Sequence, residues 1–467
     1  MITFLSSIVL LIAGYFIYGK LVERVFGVKS ERPTPARSKA DGVDYVEMGT
    51  WRNSLIQLLN IAGVGPIFGP IAGALFGPVA FLWIVLGAIF AGAVHDYLTG
   101  MISIRNDGAH LPELARKYLG KHVSHIMNGF SVLLLLLVGT VFVTSPAGLL
   151  HDLLNGWMPL AVILAIIFIY YILSTILPIN QIIGRLYPLF GALLILSSVG
   201  IGVWVILSGA PIPELTLENL HPSELPLFPM LFLTITCGAL SGFHATQSPI
   251  ISRSLDNEQN GRKVFYGMMI AEAVIAMIWA AAAMSVYDQA ALAAMAPAQV
   301  VKEVSIMALG AFGGTLAILG VIILPITSGD TAFRSARMII ADYLKIGQGK
   351  ISNRFLVALP LFVVSVILTQ VDFDILWRYF SWANQTTSAI ALWIGAVYLA
   401  MKKSFHWIAT IPATFMTSVV ITYILNAKIG FNLPMGISFV ASILLTGLIV
   451  VLFFKKVNKH AVGELQA

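Results

Sequence analysis

The run Gly63-Val64-Gly65-Pro66-Ile67-Phe68-Gly69-Pro70 sets helix breakers inside an apolar stretch, from about Leu55 to Phe76, that is long enough to cross a bilayer. Each proline removes a backbone donor and clashes with the carbonyl one turn back, so a helix is expected to open near Pro66 and Pro70. Unwound backbone at membrane depth survives only within protein or along a cavity. Many secondary transporters use such interruptions to present carbonyls and half-helix ends to an ion or a substrate. The competing reading is packing. Gly65, Gly69, Gly73 and Gly77 are spaced by four and would let another helix approach closely.

The composition places that stretch in a membrane. Of the 467 residues 58% are hydrophobic and only 11% charged, where a soluble domain carries about 25% charged residues. Dyadic alternation is absent, and runs such as Val132 to Val138 are continuous. The chain therefore reads as an all-α polytopic membrane protein with about 13 transmembrane helices. The apolar segments centre near residues 12, 64, 91, 135, 168, 196, 238, 275, 316, 363, 389, 416 and 445, and they are numbered one to thirteen in that order below. Segment one lacks an early basic region and a small-residue cleavage site, so it is expected to be a retained helix. The single Cys237 lies in an apolar stretch. It argues against a disulfide framework or a cysteine metal site and suggests a small buried hydrophobe.

The net charge of +6 invites a nucleic-acid reading that its distribution rejects. With the N-terminus outside and the loops alternating, 25 of the 28 Lys and Arg fall on the inner side, and only Lys302, Arg378 and Lys428 fall outside. Cytoplasmic loops carry that excess. The expected location is a bacterial-type cytoplasmic (inner) membrane, with the C-terminus cytoplasmic, lipid around the chain and no nucleic-acid partner.

A second breaker cluster, Cys237 to Pro249, interrupts segment seven. Segments two to six and seven to eleven then form two blocks of five, of opposite orientation, each opening with an interrupted helix. Paired interruptions of this kind are the sequence signature of an inverted repeat. The expected organisation is an N-terminal helix and connector (1–50), two five-helix repeats (51–209 and 210–403) and two C-terminal helices (404–467).

Polar residues inside spans are costly and usually face a cavity or a partner. Gln57 and Asn60 precede the first interruption, beside Gly63 and Gly65. Ser241, His244 and Gln247 lie in the second, and Asn384 and Gln385 open a run of five polar residues in segment eleven. These are the candidate substrate contacts. His95-Asp96, in segment three, is either part of the coupling machinery or a self-satisfied pair. Glu272 has no basic residue within a turn. An isolated carboxylate at membrane depth is most stable neutral, which suits a proton carrier and equally a packing hydrogen bond. Thr327, Ser328 and Asp330 follow Pro325. They are hard oxygen donors for Na⁺ if the helix is interrupted there, with Thr327 and Ser328 as the candidate ligands, or caps for the extension Thr331 to Leu344. No cofactor is expected beyond Na⁺ or H⁺ as coupling ion. Metalloprotease, phosphate-loop and nucleophile-elbow motifs are absent, so the chain does not read as an enzyme.

Several segments together resemble the carbon starvation protein A (CstA) family of peptide or pyruvate transporters. The carrying residues are Asp41 to Val46, Ile61 to Pro66 with Gly69-Pro70, Ala91 to Asp96, Arg105 to Gly108, Ser241 to His244, Asp330 to Arg337, and Asn384-Gln385 with Ala389 to Leu392. The match runs from about residue 1 to 400, and the chain looks like a short form. The resemblance implies the five-plus-five inverted repeat of the leucine-transporter fold, with substrate between the two interrupted helices. It also implies a sodium site between segments two and nine. The implied function is ion-coupled import of short peptides, amino acids or a small carboxylate such as pyruvate. A gated channel or a ligand-binding membrane sensor is the alternative.

Overall fold

A computed structural model describes residues 1–42, 45–176 and 179–465, without the side chains of 175–188, 190 and 460–465. Val43 and Asp44 of the Asp41 to Val46 motif lie outside the described residues. Among those described the regular structure is all helical, apart from one parallel bridge between Met48 and Leu255.

In order, the segments are Ile2–Phe26 (one), Thr50–Ala62 with Gly65–Phe76 (two), Val79–Ile104 (three) and Lys121–Leu153 (four). Leu160–Ile176 (five), Ile179–Leu207 (six), and Leu227–Thr234 with Gly242–Ser252 (seven) follow. Glu258–Val286 (eight), Pro297–Leu344 (nine) and Ile351–Leu368 (ten) lead to Phe373–Met401 (eleven). Trp407–Asn426 (twelve) and Met435–Lys459 (thirteen) complete the set.

Among the described residues eight helices are long and apolar enough to cross a membrane, or nine with the bent pair of segment two counted as one. The expected count of about 13 does not follow from length and hydropathy alone. Segments five and six run into residues whose side chains are not described, segment seven is broken, and segment eleven carries the polar run at 384–388.

Segments two, three, seven and eight pack on one another, and segments four and nine run along each other with six laid against nine. The apolar windows of three and eight are 83% and 78% buried, against 22% for thirteen. The first group is therefore the centre of the molecule and segment thirteen is peripheral.

Both interruptions form, with two corrections to their detail. Segment two bends by 47° at Gly63-Val64 and its helix resumes at Gly65. The opening is thus one turn before the expected place. Pro66 occupies the first turn of the new helix, where its missing N–H costs nothing, and Pro70 lies within that helix. Segment nine is not interrupted at Pro325. The helix runs on through Thr327, Ser328 and Asp330, with its kink at Gly310, so none of these residues caps a new helix.

The two ends of the bundle are tied differently. Met1, Ile2 and Thr3 converge on Glu214 of the loop after segment six, with the terminal ammonium 2.7 Å from its carboxylate. The ammonium, the Thr3 hydroxyl and the two backbone N–H groups hold that carboxyl down to about 2. At the opposite end Glu258, fully buried, accepts from Arg105 at 3.0 and 3.2 Å, from Arg32 at 3.5 Å and from the Lys29 N–H at 3.1 Å. The start of segment one and the loop after segment six share one face, as alternating loops require.

Candidate functional site

The unwound piece of segment seven, between Thr234 and Gly242, is held by close backbone approaches from two neighbours. A Cβ on Gly65 would stand 2.3 Å from Cys237 Sγ, and one on Gly92 would stand 2.2 Å from the Ala239 carbonyl oxygen. Only glycine allows either contact. Segment three widens into a π turn over Ala88–Gly92 at this same level, a local distortion frequent at functional sites. The two interruptions thus meet in direct contact in this conformation. Expectation had them facing each other across open space. The small-residue spacing and the interruption turn out to be one device, because the glycines bring the unwound backbone into contact with its neighbours.

Below that contact, residues from three segments close into one buried network. Asp96 accepts from His95 Nδ1 on one carboxylate oxygen and from His244 Nδ1 on the other, both at 2.8 Å. Glu272 Oε2 stands 3.4 Å from His244 Nε2. All four side chains are fully buried. His95 Nε2 is buried without a hydrogen-bond partner, and the Glu272 carboxyl is met by the Gly238 backbone N–H as well as by the imidazole. With Nδ1 on the Asp96 carboxylate, Nε2 is the ring nitrogen turned toward Glu272. His95-Asp96 is therefore more than a self-satisfied pair, and Glu272 has a partner that no local sequence window could show. Thr99 to Ser248 (3.3 Å) and Ser252 to the Gly100 carbonyl (2.9 Å) fasten segment seven to segment three beneath the network.

The other candidates divide. Asn384 does not face open space. Its Oδ1 accepts from the Phe243 N–H at 2.7 Å and from Ser241 at 3.2 Å, capping the half-helix that begins at Gly242. Gln385 donates to the Phe232 carbonyl and accepts from Ser388. Gly63 packs beneath the Phe142 ring, which meets Phe243 edge to face at 5.9 Å. Asn60 is buried beside the first interruption. Both amide atoms of Gln57, Gln247 Oε1 and Asn384 Nδ2 are buried with no hydrogen-bond partner.

Near the implied sodium position, Ser328 donates to the Leu59 carbonyl at 3.1 Å, joining segments nine and two, and Thr327 donates to Leu324 of its own helix at 2.7 Å. Asp330 turns away from this pair. It accepts from Ser174 of segment five and lies 3.8 Å from Arg334. A carboxylate beside its own i+4 cation satisfies itself there and adds no charge toward Leu59.

Two features escaped sequence reasoning. Cys237 lies against His244 and Glu272, with the three donor atoms within 4.8 Å of one another; a lone cysteine gives no signal of that. The Arg105–Glu258 clasp joins residues far apart in the chain. Its only trace was the Arg105 to Gly108 motif.

The family model described as carbon starvation protein CstA matches residues 1–225, 160–309 and 293–423. A membrane protein of Haemophilus influenzae is 46% identical over 340 residues, covering 62% of this chain and 92% of that protein. The peptide transporter CstA of Bacillus subtilis is 24% identical over 531 residues, 88% of each chain. The pyruvate/proton symporter BtsT of Escherichia coli is 25% identical over 338 residues, 58% of this chain and 47% of that one. Among solved structures, a variant of the Eremococcus coleocola manganese transporter superposes with a TM-score of 0.57 at 14% identity, over 91% of this chain and 98% of that one. MhsT in complex with L-phenylalanine gives 0.54 at 11% identity, over 87% and 98%. These two likenesses show the leucine-transporter fold.

Proposed function

The chain belongs to the carbon starvation protein CstA family, and from that premise we propose that it is a proton-driven secondary importer of a small carboxylate-bearing nutrient. Short peptides, amino acids and pyruvate are the substrate classes. The reading counts about 13 crossings, arranged as two inverted repeats (51–209 and 210–403) with an outside N-terminus in the cytoplasmic membrane. The carrying observation is the Asp96–His244–Glu272 network at the interruption of segment seven.

A proton held on the Glu272 carboxyl can pass to His244 Nε2 over one short contact, and Asp96 stabilises the imidazolium that forms. The hop leaves a carboxylate on segment eight and a cation on the half-helix of segment seven. The electrostatics of that pair therefore change whenever the two segments part and water enters. Substrate recognition falls to Gln57, Gln247, Asn384 and Ser241, with Asn60 and the backbone at Gly63 and Gly65 beside them. The unpaired amide groups of the first three are unsatisfied while the breaks touch, and a polar solute or water would satisfy them once the breaks separate.

The names of two relatives, a peptide transporter and a pyruvate/proton symporter, support the same class. A sodium-driven cycle is the second reading, favoured by the Ser328–Leu59 contact. In this conformation the hydroxyls of Ser328 and Thr327 donate to carbonyls, which keeps their oxygen lone pairs for a cation.

Uptake of labelled pyruvate, alanine and dipeptides into proteoliposomes, under imposed pH and sodium gradients, tests the proposal. Accumulation above equilibrium that needs the pH gradient and ignores sodium is expected. Strict sodium dependence overturns the proton assignment, and passive equilibration alone points to a channel or sensor. Cysteines placed at Thr3 and Lys459 should label from opposite faces of sealed vesicles. Labelling from one face rejects the crossing count.

A further inference from the structure

Cys237, His244 and Glu272 bring a sulfur, a ring nitrogen and a carboxylate oxygen within 4.8 Å of one another in the interior of the molecule. Three facts make this more than a crowded corner. Nδ1 of His244 is taken by Asp96, which leaves Nε2 as the ring atom facing Glu272, and the Glu272 carboxyl, met by the Gly238 N–H, keeps further oxygen lone pairs for a ligand. Asp96 accepts from His244 Nδ1 at 2.8 Å, the carboxylate–histidine arrangement that orients an imidazole toward a metal and raises its basicity. The absent Cβ of Gly65 leaves the sulfur where it is.

We propose that Cys237, His244 and Glu272 form a site for a zinc-class divalent cation, set in the unwound part of segment seven and braced by Asp96. The donor set selects the metal class. A thiolate and an imidazole favour zinc or cobalt, whereas Mg²⁺ and Ca²⁺ take oxygen ligands. Ligand bonds of about 2.0–2.3 Å at tetrahedral angles put donors roughly 3.3–3.8 Å apart. The 3.4 Å between His244 Nε2 and Glu272 Oε2 already meets that spacing, and the sulfur lies within 4.8 Å of both. Ser241 Oγ, 3.5 Å from the sulfur, is a further oxygen at hand.

Charge also favours the ion. A divalent cation neutralises one thiolate and one carboxylate, removing the cost of an unpaired buried acid. Binding releases the thiol proton, and the Glu272 proton where it is present. Metal and proton then compete for the same two atoms, so zinc should inhibit proton-driven uptake. That consequence rests on the transport reading; the site itself does not.

The test uses the full chain, purified in detergent with Co²⁺ present throughout and read by absorbance. One equivalent of tetrahedral Co²⁺, with a thiolate-to-cobalt charge-transfer band that Zn²⁺ displaces, is expected. Cys237→Ser should remove that band, Glu272→Gln should weaken binding at least about tenfold, and Asp96→Asn about tenfold through the lost brace. Thermal unfolding of each variant without metal checks that it is folded. Absence of saturable one-equivalent binding, or binding unchanged in Cys237→Ser and Glu272→Gln, overturns the site. Uptake is measured separately: uptake that zinc leaves untouched rejects only the competition, and failed uptake with an intact cobalt spectrum rejects only the transport reading.

Discussion

Glu258 and Glu272 lie on the same helical segment, and both are fully buried, yet their surroundings are opposite. Glu258 is held by the forked guanidinium of Arg105, by Arg32 and by a backbone N–H. Arg105 is spent in turn on the Gly27 carbonyl, Tyr398 and the Phe26 ring. Glu272 faces no fixed cation: it has the imidazole of His244 at 3.4 Å and the Gly238 backbone N–H. Burial of a carboxylate therefore does not define its task; the compensation around it does. A fully paired acid fixes the fold. An acid left with one titratable neighbour can change its charge or take a ligand.

The largest expected effect comes from Glu272→Gln. It keeps shape and removes the proton, so accumulation under a pH gradient should fall by two orders of magnitude or more, on the scale of lost general acid–base function of roughly 10²–10⁴. Stability should stay within about 1 kcal/mol, because Gln keeps the shape and its carbonyl oxygen can still accept from the Gly238 N–H. Uptake that survives intact would dissolve the contrast between the two glutamates.

Glu258→Gln should do the reverse. It strands the mostly buried Arg105, while the partly exposed Arg32 can turn to water. The cost should be up to about 3 kcal/mol, to be read as a lowered unfolding temperature in detergent. A stable variant would mean that the clasp is incidental.

Gly65→Ala comes next. The new Cβ meets Cys237 Sγ at 2.3 Å, and overpacking of this kind costs about 1–3 kcal/mol while forcing the two interruptions apart. Uptake should drop, and a second change, Cys237→Gly, should restore part of the stability. Without that rescue, the contact is not what holds the breaks together.

Ser328→Ala should be the mildest, costing about 0.5–1.5 kcal/mol for one hydrogen bond and leaving pH-driven uptake within about twofold. Its complete loss of uptake would move the coupling ion to segment nine and make sodium the better reading.

Much of the fold was legible because membrane physics is severe. Water cannot satisfy backbone at bilayer depth, so apolar length and breakers pointed to the helical class and to the two interruptions. The family emerged from motifs that sit at those same places. The positions of the breaks were legible only to within a turn, since Pro66 starts a helix as readily as it ends one. Segment nine showed the limit of the breaker rule, because its helix carries Pro325 without opening.

What the sequence determined by itself was which residues are anomalous: His95, Asp96, His244 and Glu272 are too polar for their depth, wherever they point. Which of them are partners was decided by the tertiary structure alone. Asp96 and His244 lie 148 residues apart in the chain. Their meeting depends on two helices packing through glycines, which no local window registers. Cys237 looked inert for the same reason, and Asp330 looked available until its own Arg334 and Ser174 claimed it. Hydropathy is a property of one residue in its solvent. Charge compensation is a property of at least two residues in space, and only the fold brings them within reach.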